Sequence, residues 1–237
     1  SLGYYTRAQQ FPELTAGTLN SVLNNATFPM MATLQDKKDE LIQTFSRLIK
    51  LSALVVFPAM AGLAVLSDEI ILVLLGEQWL PASELLFWLA LSYVFIPLSS
   101  LNLNLLNAIG RSDLFMKIDF SKVPIIAIMM VITFPISLKA VVIGKALTAL
   151  IYFYMNGFMI GRLYDFGAFK QLACCWKGLI ATVVMAFCIW GAKSFIETSI
   201  VGLAVGIIIG VVVYVAVLLV LKEEEAKVLL VKIRRRI

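Results

Sequence analysis

The 237-residue sequence contains no histidine, only three cysteines and little charge. Without an imidazole, it lacks histidine acid/base chemistry, a Ser/His/Asp triad and any histidine metal site. The cysteines, Cys174, Cys175 and Cys188, lack metal-ligand spacing and are interpreted as packing residues. Paired carboxylates within the apolar stretches are absent as well. We therefore expect a protein that is not an enzyme and that uses no metal and no cofactor.

Apolar residues make up 61% of the chain, and its mean hydropathy is +0.93. Both values lie far outside the range of soluble domains and predict an integral membrane protein. The net charge of +5 could suggest nucleic acid as a partner. However, the basic residues flank membrane-length stretches, and no basic stripe is interleaved with aromatic residues. The expected partners are therefore anionic membrane lipids and not nucleic acid.

Seven apolar stretches are long enough to cross the hydrocarbon core, which needs roughly 20 helical residues. We predict α-helices throughout, because a barrel would alternate with period two. The predicted spans are 4–34, 44–66, 82–108, 114–138, 140–161, 172–192 and 200–221. Pro12 and Pro29 should kink the first span and Pro58 should break the second. Between the second and third, residues 70–75 are too short to cross, and Trp79 is predicted to anchor them at the outer interface.

Lysine and arginine are concentrated in every second connection. The cation-rich connections are 35–50, 111–122, 162–177 and 222–236, and the positive-inside rule places them in the cytoplasm. The C-terminal tail is then a short cytoplasmic surface helix. Seven spans put the N-terminus outside, and the chain opens on Ser1 instead of Met. We expect it to be the downstream part of a longer protein with at least one further span upstream.

Two of the predicted spans are unusually polar. The first carries Arg7, Asn20 and Asn24, and the third carries Asn102 and Asn107. Such residues are rejected by lipid, so these helices are predicted to wall a hydrated cavity. Two alternatives stay open: the amides hydrogen-bond between helices, and Arg7 lies at the interface. With no acidic residue assigned to the middle of a span, no proton or sodium relay is predicted.

Several short motifs occur in a characteristic order. They are LGYYTRAQQF at 2–11, FP at 28–29, LQD at 34–36, FP at 57–58, LGEQWLPA at 75–82 and AIGRSDL at 108–114. This order resembles that of the bacterial polysaccharide flippases, the Wzx-type exporters of the multidrug/oligosaccharidyl-lipid/polysaccharide (MOP) superfamily. The resemblance covers residues 2 to about 122, and beyond that it rests on the number of spans and the basic tail.

The resemblance implies an all-α fold with about seven transmembrane helices. These would form one lobe of a two-lobed transporter like those of the MATE and MOP proteins, plus two extra C-terminal helices. Residues 1–161 would supply five spans of an incomplete C-terminal lobe, 162–221 the two additional helices, and 222–237 the basic cytoplasmic tail.

The implied activity is alternating-access transport of undecaprenyl-diphosphate-linked oligosaccharide across the bacterial inner membrane. It would serve O-antigen, capsule or exopolysaccharide synthesis, with a polymerase and glycosyltransferases as further partners. Amides suit sugar hydroxyls and cations suit the diphosphate. The candidate substrate-binding residues are therefore Arg7, Asn20, Asn24, Asn102, Asn107 and Lys145.

Three alternatives remain open from the sequence. The chain could belong to a lipid II flippase, or to a cation-coupled exporter like the MATE proteins. Such an exporter should show an acidic residue embedded in the membrane. The third alternative is a membrane scaffold of a polysaccharide synthesis complex that transports nothing, although it would leave the amide-rich helices unexplained.

Overall fold

A computed structural model describes residues 2–193 and 199–223, with the backbone alone at 22–26, and the regular structure of these residues is entirely helical. The helices are α1 Leu2–Thr33, α2 Lys38–Val65, α3 Ser67–Leu75, α4 Ser83–Tyr93, α5 Ile96–Ala108, α6 Ser112–Thr133, α7 Leu138–Tyr164, α8 Ala168–Cys174, α9 Trp176–Lys193 and α10 Ile200–Val220. A 3₁₀ turn, Glu77–Ala82, precedes α4. The predicted all-α fold class is confirmed. The predicted tail helix lies outside the described residues.

Each of the seven predicted spans corresponds to helical structure, but they differ in apolarity. Within the described residues, five segments are long and apolar enough to cross a membrane: α2, the segment 77–108, α7, α9 and α10. The other two predicted spans are α1, which is polar along its length, and α6, whose first half carries Lys117, Asp119 and Lys122. The chain is thus a multi-pass membrane protein with two helices of mixed character.

The prolines act differently from one helix to another. α1 is continuous through Pro12 and Pro29, and α2 is continuous through Pro58, so the predicted break in the second span is wrong. A proline removes one backbone hydrogen bond, and membrane helices tolerate that loss where neighbouring helices support them. The third span does break, between α4 and α5, because Pro97 lies in the first turn of α5, where no donor is needed.

The fourth span ends earlier than predicted, at Thr133. Pro135 follows immediately, and Ser137 then caps α7, its Oγ accepting a hydrogen bond from the Ala140 amide at 3.1 Å. Proline just beyond a helix and serine at the N-cap are standard termination and initiation signals. The turn they form separates α6 from α7.

The connections that were predicted to share a membrane side do lie together. At the cation-poor end, Lys139 pairs with Glu84, and the rings of Tyr4 and Trp79 meet edge to face at 5.6 Å. At the cation-rich end, Lys38 lies 5.7 Å from the Tyr164 ring centre, and Lys177 pairs with Glu223 at 3.4 Å. Which end faces the cytoplasm remains a prediction.

The two last helices attach to the rest of the bundle through α2 and α3. α10 packs along α9, and both contact α2. Close approach depends on two glycines of α10, because a Cβ on Gly206 would lie 2.6 Å from Leu66 and one on Gly210 would lie 3.0 Å from Ile189. The proposed division into a lobe at 1–161 and two extra helices at 162–221 stays a prediction.

An ion cluster joins the end of α9 to the α2–α3 junction. Lys193 Nζ donates to the Val65 carbonyl at 2.9 Å and lies 3.2 Å from Asp68 Oδ2 and 3.0 Å from Glu69 Oε2. Glu69 is 3% exposed. Burial raises the pKa of Asp68, but a hydrogen bond with Ser83 and the charge of Lys193 outweigh that effect and lower it overall. The cluster holds α9 to the α2–α3 junction.

Replacing Lys193 by methionine should destabilise the protein by about 3–5 kcal/mol, because it leaves the buried Glu69 carboxylate unpaired. The matched control is Lys139→Met, which breaks an exposed pair and should cost less than about 1 kcal/mol. Thermal unfolding in detergent measures both. Equal effects of the two substitutions would contradict this account.

Because the folded pKa of Asp68 is lowered, the contribution of Asp68 to the free energy of unfolding is present above about pH 3.9 and is lost as pH falls through the lowered value.

Candidate functional site

One face of α1 is polar and exposed. Between residues 6 and 21, its exposed positions recur every three or four residues and are 6, 7, 10, 13, 14, 17, 18 and 21. We call them the α1 stripe, and all but Leu14 are polar or glycine. The opposite side of α1 packs against α2, α4 and α5. Since lipid rejects such a helix face, the α1 stripe faces water or another polar protein surface.

A cation lies beside α1 in the first third of α7. Lys145 Nζ is 4.9 Å from the ring centre of Tyr93 and 5.9 Å from that of Tyr5, and it donates a long hydrogen bond of 3.5 Å to the Tyr93 hydroxyl. Each cation–π contact contributes roughly 0.5–2 kcal/mol, more when desolvated. Lys145 of α7 is therefore held by residues from two other helices, α1 and α4.

A carboxylate on α1 completes this cluster. Gln9 Nε2 donates to Glu13 Oε2 at 3.1 Å, and Gln9 also shares a hydrogen bond with the Tyr93 hydroxyl. Glu13 acts electrostatically on Lys145. It lies eleven residues into α1, about 16 Å along the helix at 1.5 Å per residue. Gln9, Glu13, Tyr93, Lys145 and Tyr5 form what we call the charge cluster.

Next to the charge cluster, α4 to α7 and Tyr5 enclose a cavity of about 510 Å³. Its walls are mostly apolar, but Ser99, Thr148 and Asn156 line it as well. Asn156 is fully buried and donates to the Ser99 carbonyl at 3.3 Å. Asn156 Oδ1 and Ser99 Oγ are buried without a hydrogen-bond partner among the described residues, in side chains that line the cavity.

A second cation reaches the same cavity from α6. The Lys122 ammonium lies 5.5 Å from the ring centre of Tyr152 and 2.9 Å from Asp119 Oδ1, and its side chain is 12% exposed. Tyr152 donates to the Lys122 carbonyl at 3.1 Å. Seven residues of α7 separate Tyr152 from Lys145, so the two lysines lie about 10 Å apart along the helix direction.

The predicted site residues are dispersed. Arg7 lies at the cation-poor end, 5.8 Å from the Trp79 ring centre, with Nη1 donating to Gln10 at 3.4 Å. Asn20 is half-buried, and its Oδ1 has no partner among the described residues. The Asn24 side chain is outside the described residues, and Asn107 lies in the last turn of α5. Only Lys145 of the predicted set lines the cavity.

Asn102 faces another helix instead of the cavity. It is fully buried, donating to Gln171 Oε1 at 3.0 Å and accepting from Gln171 Nε2 at 2.7 Å. A third bond runs from Asn102 to the Leu98 carbonyl at 2.9 Å. These contacts match the alternative in which an amide joins helices, here α5 to α8. A substrate role for the six predicted residues stays a prediction.

The sequence interpretation missed Glu13. The residue lies eleven residues into α1, whereas the sequence interpretation assigned no acidic residue to the middle of a span. The available signal was its spacing: Tyr5, Gln9 and Glu13 are four residues apart and share a helix face. Lys145 was already a candidate from the sequence, but its proximity to Tyr93 and to Glu13 could not be recognised, because the three residues are distant in sequence.

Comparison with known proteins gives one family match, to a polysaccharide biosynthesis protein family over residues 1–84. The chain is 32% identical over 114 residues to the teichuronic acid biosynthesis protein TuaB of Bacillus subtilis, covering 48% of this chain and 24% of that protein. It is 28% identical over 172 residues to the lipopolysaccharide biosynthesis protein WzxC of Escherichia coli, covering 68% and 34% respectively. These matches confirm the family resemblance drawn from the motifs.

Among solved structures, the fold is similar to the lipid II flippase MurJ in an inward closed conformation. The TM-score is 0.74 at 17% identity, covering 91% of this chain and 46% of MurJ. At this identity the similarity establishes the fold. The chain spans between a quarter and a third of the curated relatives' length and about half of MurJ.

Proposed function

We propose that this chain, which resembles the Wzx-type polysaccharide flippases in sequence and the flippase MurJ in fold, forms one lobe of a transporter for lipid-linked oligosaccharides. The transporter moves undecaprenyl-diphosphate-linked repeat units across the bacterial inner membrane by alternating access. The products feed O-antigen, capsule or exopolysaccharide synthesis, together with glycosyltransferases and a polymerase. No covalent chemistry is required of the chain itself.

The α1 stripe is the observation that carries this proposal. A scaffold would need its helices only to pack, yet α1 presents hydroxyls, an amide and two charges away from its helical neighbours. In a transporter this face borders the water-filled path. Hydroxyl and amide groups there exchange hydrogen bonds with sugar hydroxyls, and they do so with little preference for one sugar.

The basic residues support a direction and a loading side. We place the cation-rich end in the cytoplasm, where the lipid-linked substrate is made. The lipid tail stays in the bilayer, while the diphosphate and sugars follow the polar face of α1. Lys145 is the cation best placed to contact a phosphate group from within the bundle, because its ammonium is already partly desolvated and held by Tyr5 and Tyr93.

Deleting the gene that encodes the full-length protein should stop polysaccharide export and leave lipid-linked repeat units on the cytoplasmic side. Extraction of the lipid fraction, followed by analysis of its sugars, measures the accumulation. Accumulation of lipid II instead would assign the chain to cell-wall export. Normal export together with mislocalised glycosyltransferases would favour the scaffold alternative.

Cysteine labelling tests the proposed orientation. In a cysteine-free version of the full-length protein, Glu77→Cys should react with a membrane-impermeant maleimide in intact cells. Lys37→Cys and Lys170→Cys should react only after permeabilisation. The reverse pattern would contradict the orientation. It would leave the fold unchanged, because the same connections would still contact one another at each end of the bundle.

Glu13 supports a second candidate, a cation-coupled exporter of the same superfamily. Such an exporter needs an acidic residue that takes up a proton or cation within the membrane, and Glu13 lies inside α1 with Gln9 as a direct partner. Measurement of substrate range separates the candidates: the exporter confers resistance to cationic drugs, whereas the oligosaccharide flippase does not.

A further inference from the structure

The α8–α9 junction brings two thiols together. Cys174 is the last residue of α8, and Cys175 is the single residue between α8 and α9. The Cys175 amide donates to the Leu172 carbonyl at 3.0 Å, and its backbone has φ −98° and ψ 4°. This turn directs both side chains to the same side, and their Sγ atoms lie 3.7 Å apart.

The two thiols differ in access. Cys174 is half-buried and its Sγ donates to the Gln171 carbonyl at 2.9 Å. Cys175 is 4% exposed, with its Sγ 3.9 Å from the Ile49 carbonyl. A cavity of about 10 Å³ borders both sulfurs and is also lined by Lys50 and Glu223. One sulfur is therefore reachable from the cation-rich end, and the second lies directly behind it.

We propose that Cys174 and Cys175 form a dithiol site for soft, thiophilic trivalent metalloids, of which organic arsenicals are the chemical class. Sulfur ligands select soft ions, and the Lys50 ammonium beside the pair favours the thiolate that starts the reaction, although Glu223 lines the same cavity. No third ligand is needed, because an aryl arsenical already carries one carbon on arsenic.

The reaction balances without a redox partner. An aryl arsenic(III) oxide reacts with both thiols, two As–S bonds form, and the arsenic–oxygen bond is lost. The oxygen leaves as water with the two thiol protons, and arsenic remains trivalent. Cys174 reacts first because it is the more accessible of the two thiols, and Cys175 closes the ring.

Ring closure also has a structural consequence. It breaks the hydrogen bond from the Cys174 thiol to the Gln171 carbonyl. The side chain of Gln171 is the one that donates to Asn102 of α5. Occupancy of the site therefore removes one hydrogen bond from the end of α8. The proposal does not depend on the transport function, because its test measures only the binding of the arsenical to the protein.

Cys188 supplies the comparison within the same chain. It is exposed on α9 with no second described cysteine beside it, so it forms only one As–S bond. A second bond to the same arsenic is intramolecular, which raises the apparent affinity by roughly 10²–10⁴-fold. The arsenical bound to Cys174 and Cys175 should therefore stay bound at a monothiol concentration that removes arsenic from Cys188. Only a dithiol should remove it.

The test uses the full-length protein in detergent, treated with phenylarsine oxide and then with excess 2-mercaptoethanol. Trypsin cuts after Lys170 and Lys177, so the peptide 171–177 carries both members of the pair and excludes Cys188. Mass spectrometry should find one arsenical on this peptide, and 1,2-ethanedithiol should remove it. Because the wild-type protein is mapped directly, the result does not depend on a variant folding.

Variants provide the second arm. Cys188→Ala should keep the monothiol-resistant adduct. In Cys174→Ala and in Cys175→Ala, the concentration of monothiol that removes the arsenical should fall by at least about two orders of magnitude. Absence of arsenic from peptide 171–177 would overturn the proposal. Retention by either single variant would do the same, because it would mean that one thiol suffices.

Discussion

Replacing Lys145 by methionine in the full-length protein is expected to reduce surface polysaccharide about tenfold or more. A charged hydrogen bond contributes about 1.5–3 kcal/mol, and about 1.36 kcal/mol corresponds to a tenfold change in rate. Methionine keeps the packing volume of the lysine stem but removes the ammonium from between Tyr5 and Tyr93. Immunoblotting of membranes controls for protein amount, and quantification of cell-surface sugar gives the result.

The matched control is Lys170→Met, which breaks an exposed pair with Asp165 at the cation-rich end. It should leave export within about twofold, because exposed ion pairs contribute about 0–1 kcal/mol. Lys145→Arg keeps the charge and should retain part of the export. Full export by Lys145→Met at normal protein levels would remove this residue from the transport path.

Replacing Glu13 by glutamine is the second substitution with a large expected effect, again about tenfold in export. Glu13 is exposed on the α1 stripe, and its charge acts on the Lys145 ammonium, so the substitution removes that electrostatic contribution. The expected result for the double variant Glu13→Gln/Lys145→Met is the same loss as for Lys145→Met alone. Such non-additivity identifies residues that act as one unit.

The adjacent Leu14 provides the control for Glu13. It is 70% exposed on the α1 stripe and takes no part in the charge cluster. Leu14→Ala should leave export unchanged. If Leu14→Ala and Glu13→Gln reduced export equally, the effect would belong to the helix face as a whole. Additive losses for Glu13 and Lys145 would show that the two residues act independently.

Hydropathy predicted the helices well because a membrane helix must satisfy its backbone hydrogen bonds internally, whatever its neighbours are. Helix ends were less predictable. Ser137 and Pro135 carry the turn between α6 and α7, but both lie within an apolar run that continues across the turn. The end of α8 was assigned to the predicted sixth span for the same reason, because its residues are as apolar as those of the span that follows.

The site was harder to predict because it depends on contacts between distant residues. Asn102 and Lys145 were both polar residues in apolar helices, and nothing in the sequence distinguishes them. In the structure, Gln171 satisfies Asn102, whereas Lys145 meets only aromatic rings and a distant carboxylate. The same holds for Cys174 and Cys175, whose proximity depends on the turn between α8 and α9.

Transbilayer movement of the substrate tests the central claim most directly. The full-length protein is reconstituted into liposomes that carry undecaprenyl-diphosphate-linked oligosaccharide, and a membrane-impermeant oxidant modifies the sugars exposed outside. The account predicts that wild-type protein brings the inner-leaflet pool within reach of the oxidant, while Lys145→Met leaves that pool protected as in protein-free liposomes. Equal protection with wild-type protein and without any protein would contradict it.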